Sequence, residues 1–315
     1  MTVAPHPGAR PAAPADPPEQ SGLGATPFAD RLTALTRERR SQVCLGLDPD
    51  PAALAADAGE PGEPAERAAD AVVAHCRSLI SSAGPSCVAA KPQLACFERL
   101  GAPGWRALAE VIEAARAAGL LVVADGKRGD VPTTAAVYAQ ALVGQTETPW
   151  GPVPGLGADA FTTNPLLGAD ALEPLIDAAA QAGAGVFALV RTSNPGAADL
   201  QDASLDGRPL HEHLAALVAQ RAPRLAGEDG LSGMGAVIGA TAPERLGRLR
   251  ELMPDSIFLV PGVGAQGGRP EELGPALAPG RPASLLVAAA RSIADADDPR
   301  EAAEELRSTL WGLAD

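Results

Sequence analysis

Residues 120–130 read Leu-Leu-Val-Val-Ala-Asp-Gly-Lys-Arg-Gly-Asp. An apolar run without alternation, as in Leu120–Ala124, is the pattern of a parallel strand buried on both faces. It runs directly into Asp125, Lys127, Arg128 and Asp130, so its C-terminal end must lie where charge is tolerated. Asp125 and Lys127 are two residues apart, and an extended backbone would point both the same way.

The same texture recurs on both sides. Strands are predicted at Gln42–Leu47, Cys87–Lys91, Ala158–Thr162, Gly185–Val190, Met234–Gly239, Ile257–Val260 and Ser284–Val287. Helices are predicted between and after them, near 64–82, 103–117, 133–145, 169–182, 210–224, 243–252, 270–278 and 297–312. Asp170, Pro243-Glu244 and Asp298-Pro299 mark helix starts. Eight strand–helix units in residues 28–315 suit a single-domain (β/α)8 TIM barrel, for which about 250 residues is typical; an open doubly wound sheet is the alternative. Residues 1–27, rich in Pro, Ala and Gly, are expected to be a disordered leader. Two insertions stand out, residues 146–157 before the fourth strand and Arg191–Gly207 after the fifth. In a barrel the second falls on the face where sites are built.

Composition narrows the function classes. The 315 residues carry 25 Lys+Arg against 39 Asp+Glu, a net charge of −14. That field repels nucleic-acid backbones and anionic membranes, so neither is an expected partner. No apolar run is long enough to span a membrane, and no basic start precedes an apolar run, so the expected location is the cytoplasm. Cys44, Cys76, Cys87 and Cys96 form no CxxC pair, and with His6, His75, His211 and His213 they show no zinc spacing. No metal and no cofactor are expected.

Three clusters carry chemistry. Asp48 ends the first strand (LDPDP), Lys91 the second (KPQ), and Asp125, Lys127 and Asp130 the third (DGKRGD). A ring of structural salt bridges would explain one such residue. Five alternating charges on three successive strand ends point instead to a functional site. Second, Pro261-Gly-Val-Gly-Ala-Gln-Gly-Gly268 holds the glycine spacing of a dinucleotide fingerprint at Gly262, Gly264 and Gly267. It falls in the seventh unit, and no acidic residue ends the next strand. A backbone cradle for phosphate, helped by Arg291 after the eighth strand, suits that position better. Third, Arg191-Thr-Ser-Asn-Pro-Gly196 supplies hydroxyls and an amide able to read a polar heterocycle, although such residues also make ordinary turns.

Taken in order, LDPDP, KPQ, DGKRGD, RTSNPG, PGVGAQGG and AARSI resemble the orotidine 5′-phosphate decarboxylase family, most closely its longer bacterial form (type 2). The resemblance runs from about Phe28 to the C-terminus. It implies cofactor-independent conversion of orotidine 5′-phosphate to uridine 5′-phosphate (UMP), the last step of de novo pyrimidine synthesis. It implies Lys127 as the proton donor to C6, flanked by Asp125 and Asp130, with Lys91 and Asp48 bridging to the ribose. It also implies a homodimer in which Asp130 and Thr134 reach the partner's site. Thr192 or Ser193 would contact the pyrimidine, and Pro261, Gly262, Gly264, Gln266 and Arg291 would hold the phosphate end. Thr133 stands where many members carry Asn, and Ala290 where Gly commonly precedes the Arg. The alternatives are a Mg-dependent sugar-phosphate relative (hexulose-phosphate synthase or ketogulonate-phosphate decarboxylase-like), a nicotinamide-dependent oxidoreductase and a non-catalytic phosphate-ligand barrel. Lys91 opposes the first, because those relatives usually carry a metal-holding carboxylate there.

Overall fold

The computed structural model describes residues 25–54 and 62–314; residues 1–24 of the expected leader lie outside them. Eight parallel strands close into a barrel in sequence order: β1 Val43–Leu47, β2 Ala89–Pro92, β3 Leu121–Arg128, β4 Ala160–Thr163, β5 Gly185–Arg191, β6 Ser232–Ile238, β7 Ser256–Pro261 and β8 Leu285–Ala289. All eight expected strands are present, with ends shifted by at most four residues. Val43 lies opposite Val287 and Cys44 opposite Ala288, which closes the sheet and removes the open-sheet alternative.

Strand parity explains where the charges go. Cys44, Ala89, Leu121, Val123, Ala160, Phe187, Val237, Leu259 and Ala288 fill the barrel interior. The residues between them, such as Leu45, Ala90, Val122, Ala124 and Phe161, pack outward beneath the helices. Alternate residues share one face of a strand. Continuing the inward series toward the C-terminal ends reaches Gly46 and Asp48, Lys91 and Gln93, Asp125, Thr162, Pro261 and Ala290. A polar layer therefore sits directly on an apolar one, at the end where barrel sites are built.

The main outer helices are α2 Pro64–Ala83, α3 Ala102–Ala117, α4 Pro132–Leu142, α5 Ala169–Ala182, α6 Leu210–Arg221, α7 Leu246–Leu252 and α8 Pro299–Gly312. They follow α1, Phe28–Arg39, a helix outside the eight expected ones. Phe28 and Leu32 of α1 are buried in the interior cluster, and the Phe28 ring meets Phe187 edge-on with centroids 5.8 Å apart. This helix plugs the end of the barrel opposite the polar layer.

Several expected boundaries are corrected. The helix predicted near 133–145 stops at Leu142, and the 146–157 insertion folds into a small hairpin pairing Gln145–Thr146 with Val153–Pro154. The stretch predicted helical at 270–278 is a 3-10 helix, Pro270–Ala276, with Pro275 inside it. Proline lacks the N–H that an α-helical ladder requires. Gly168, not Asp170, is the N-cap of α5, and Asp170 stands in its first turn, where negative charge is favourable. Asp298 does cap α8, its carboxylate accepting from the Arg300 and Glu301 N–H groups with Pro299 next in line.

Candidate active site

Asp125 is the hub of the polar layer. Its Oδ1 accepts from the Lys127 ammonium at 2.6 Å and the Thr162 hydroxyl at 2.8 Å. Its Oδ2 accepts from the Lys91 ammonium at 2.8 Å and the Gln93 amide at 3.2 Å. Lys91 Nζ also lies 3.7 Å from Asp48 Oδ1. The result is a chain of alternating charge, Asp48, Lys91, Asp125, Lys127, in which the buried Lys91 and Asp125 lie between Asp48 and Lys127 side chains that are 39% and 40% exposed. Gln93 and Thr162 were missed by the sequence reading. Their signal was parity, since each falls on the inward series of its own strand.

Lys127 reaches this position by a route the spacing did not suggest. Ala124 pairs with Phe161 and Arg128 with Thr163, so β3 spends two more residues than β4 over the same span. That bulge puts Lys127 at φ 48°, a left-handed conformation rare for a residue with a Cβ. The Lys127 N–H donates to the Thr162 hydroxyl at 2.9 Å, pinning the turn. Asp125 and Lys127 do meet, but through a bulge rather than an extended strand. Local strain of this kind, about 1–3 kcal/mol, persists where surrounding contacts over-determine it and clusters at active sites.

The charge states follow from geometry. Burial would push the Asp125 carboxyl up, but Lys91 and Lys127 together outweigh it and hold Asp125 well below the usual carboxylate range. Burial would likewise push the Lys91 amine down, yet Asp125 and Asp48 raise it above the usual lysine range. Both stay ionised throughout the neutral range. Cys44 lies beneath them in the interior, where burial pushes its thiol up to about 12. A neutral thiol is a poor nucleophile.

A cavity of about 350 Å³ stands over this array, lined by Asp48, Lys91, Gln93, Asp125, Lys127, Thr162, Thr192, Ser193, Asn194, Val237, Leu259, Pro261 and Gln266. A smaller one of about 90 Å³ adjoins it, lined among others by Gly46, Asp48, Lys91, Pro261, Gly262, Val263, Ala265, Gln266, Ala290 and Arg291. Gly262, Gly264 and Gly267 all have positive φ, between 74° and 98°, conformations that glycine alone adopts freely. The loop closes on itself through the Gly264, Gly267 and Gly268 N–H groups. Gly264 therefore shapes the cradle from behind. The N–H groups of Ala265 and Gln266 have no partner among the described residues. The Ala290 methyl fits beside Gly46, where a Cβ at position 46 would come within 2.6 Å of it.

Of the other expected site residues, Thr192 and Ser193 line the larger cavity, whereas Asp130 and Thr134 stand apart. The Thr192 hydroxyl donates to Asn194 Oδ1 at 2.7 Å and accepts from Gln201 at 2.9 Å, whereas Ser193 Oγ donates to Gln266 Oε1 at 2.8 Å above the cavity. Asp130 accepts from the Val131 N–H at 2.7 Å, and neither it nor Thr134 lines either cavity of its own chain. A larger open groove of about 750 Å³ between α4 and α5 contains only one ionisable side chain, Asp177, which is paired with Arg224. It offers no comparable chemistry.

Residues 41–306 match the family described as "Orotidine 5'-phosphate decarboxylase / HUMPS family". The chain belongs to this family. Among members of the orotidine 5′-phosphate decarboxylase / HUMPS family, it is similar to the orotidine 5′-phosphate decarboxylase of Rhodopirellula baltica, at 42% identity over 78% of this chain and 81% of that one. It resembles the solved structure of Leishmania donovani OMP decarboxylase, with 35% identity, a TM-score of 0.71 and coverage of 92% and 99% of the two chains. It also resembles Leishmania donovani UMP synthase, with 36% identity and a TM-score of 0.73, covering 92% of this chain but 57% of that longer one. The charged strand ends and the glycine loop all fall inside the matched span.

Proposed function

We propose that this chain decarboxylates orotidine 5′-phosphate to UMP, the closing step of de novo pyrimidine synthesis, in the cavity over Asp125. The observation that carries this reading is the Asp48–Lys91–Asp125–Lys127 array, set beside a glycine-loop pocket that has Arg291 at its edge. The catalytic domain is residues 28–315, and the working place is the cytoplasm. Among the described residues no helix is long and apolar enough to cross a membrane.

Breaking the bond between C6 of the pyrimidine and its carboxylate leaves an electron pair on an sp2 carbon with no adjacent carbonyl to accept it. The protein must supply the stabilisation electrostatically. The Lys127 ammonium does so and then gives its proton to C6, after which solvent reprotonates the amine. Asp125 holds that ammonium in place, its Oδ1 accepting from Lys127 Nζ at 2.6 Å. Lys91 and Asp48 extend the array toward the ribose hydroxyls. Arg291, the free N–H groups of Ala265 and Gln266, and the loop from Pro261 to Gly268 grip the phosphate. That remote binding energy helps to desolvate the reacting carbon. Thr192, Ser193 and Asn194 cover the pyrimidine.

A homodimer completes the site. Asp130 and Thr134 fall in the same stretch of chain as the exposed Val131 and Val137, and Leu166 and Leu167 are exposed on the loop after β4. Exposed apolar side chains of this kind are what a partner subunit would cover. Across it Asp130 would supply the second carboxylate near the partner's Lys127, with Thr134 beside it. A metal-assisted sugar-phosphate reaction fits less well, since the Lys91 ammonium sits between the Asp48 and Asp125 carboxylates.

The test is turnover of orotidine 5′-phosphate by the purified protein, followed by loss of its ultraviolet absorbance and appearance of UMP. Arg291→Ala should raise KM by roughly 10- to 100-fold, the effect of losing one charge-assisted hydrogen bond. An inert wild type would overturn the assignment, and an unchanged KM would remove Arg291 from the phosphate grip.

A further inference from the structure

The loop after β5 returns to its own origin. Arg191 ends the strand, Thr192 and Ser193 cross the cavity mouth, and a short helix, Ala197–Gln201, brings Gln201 and Asp202 back to Arg191 and Thr192. The Gln201 side chain grips Thr192 twice, accepting from its N–H at 2.7 Å and donating to its hydroxyl at 2.9 Å. Asp202 grips Arg191 with both oxygens, at 3.0 and 3.1 Å. The same carboxylate lies 3.0 Å from Arg245 Nη2, in the loop after β6, and 3.1 Å from His211 Nδ1, on α6. His211 Nδ1 also lies 2.8 Å from the Gln201 carbonyl oxygen. Three separate elements thus anchor one dipeptide.

The anchored segment leads directly to Ser193. Its carbonyl accepts from the Thr241 hydroxyl at 3.1 Å, and its backbone rests on Gly239, where an added Cβ would come within 2.6 Å of it. Ser193 in turn donates to Gln266 of the glycine loop. Neither Gln201 nor Asp202 lines the cavity, so any effect they have on substrate passes through Thr192 and Ser193.

We infer that Gln201 and Asp202 are positioning residues, a latch that seats Ser193 over the cavity and couples the heterocycle side of the site to the phosphate side. This inference rests on the proposed decarboxylase reading. Arg191 is buried and its guanidinium is matched by a planar carboxylate, the arrangement that gives fixed direction as well as charge neutralisation. Gln201 adds register, because its amide fits both the donor and the acceptor of a single residue.

The experiment is a double-mutant cycle on the full-length protein with Gln201→Ala, Ser193→Ala and the pair. Gln201→Ala should raise KM for orotidine 5′-phosphate about tenfold while kcat stays within about twofold, the signature of lost binding rather than lost chemistry. In the Ser193→Ala background, Gln201→Ala should have little further effect, since residues acting through one contact are not additive. Asp202→Asn should follow Gln201→Ala. If it fails to fold, because it leaves the buried Arg191 unpaired, the neutral and partly exposed Gln201 decides the matter. An unchanged KM for Gln201→Ala, or effects that multiply fully in the pair, would overturn the latch. Wild-type protein in the same assay separates the two readings, since its inactivity would remove the decarboxylase assignment instead.

Discussion

Lys127→Ala protein should fold, bind UMP and lose decarboxylation by at least about 10⁴-fold in kcat. The size follows from removing two contributions at one atom, electrostatic stabilisation of the carbanion and delivery of its proton, each worth about 10²-fold or more. Folding should survive because Asp125 keeps the Lys91 ammonium, the Gln93 amide and the Thr162 hydroxyl as donors. The bulge that places residue 127 is held by its backbone N–H, which alanine retains. Circular dichroism, a UMP titration and the ultraviolet assay check the three parts. Near-normal turnover by this variant would refute the role of Lys127.

Mixing two inactive proteins should restore activity. Within its own chain Asp130 lines no part of the cavity, and its neighbour Val131 is exposed. If it serves the partner's site, Asp130→Ala alone is strongly impaired. A mixed dimer of Lys127→Ala and Asp130→Ala chains then has one doubly damaged site and one intact site. With random exchange half the dimers are mixed, so activity should recover to roughly a quarter of wild type, as the two-fold symmetry of a homodimer requires. The measurement is turnover after unfolding the two together and refolding, with exchange verified by a tagged chain. No recovery despite verified exchange would show that Asp130 acts within its own subunit.

The barrel was legible because its strands are buried on both faces, which leaves uninterrupted apolar runs in the sequence. The rim charges Asp48, Lys91 and Asp125 were legible because nothing in a stability-driven strand calls for them. What escaped has local causes. Helix α1 carries Phe28, Leu32 and Leu35 on one face, but it precedes the first strand and so falls outside the repeating strand–helix pattern. The left-handed turn at Lys127 depends on Thr162 of the neighbouring strand, a contact that spacing within one strand cannot show. Gln201 and Asp202 lie inside the Arg191–Gly207 insertion with no motif to single them out; only the return of the chain to Arg191 and Thr192 brings them into the site. The hydroxyl of Thr192 belongs to that latch, which separates it from Ser193 more clearly than the motif did.

If a protein ammonium group alone carries the negative charge left on carbon, the reaction needs no metal ion. The most direct measurement is the initial rate of orotidine 5′-phosphate decarboxylation by protein dialysed against EDTA, assayed in EDTA and again with added Mg2+. Lys91 already occupies the space between Asp48 and Asp125, so the rate should be full in chelator and unchanged by the metal. A rate that vanishes in EDTA and returns with Mg2+ would show that a metal ion, not Lys127, carries that charge.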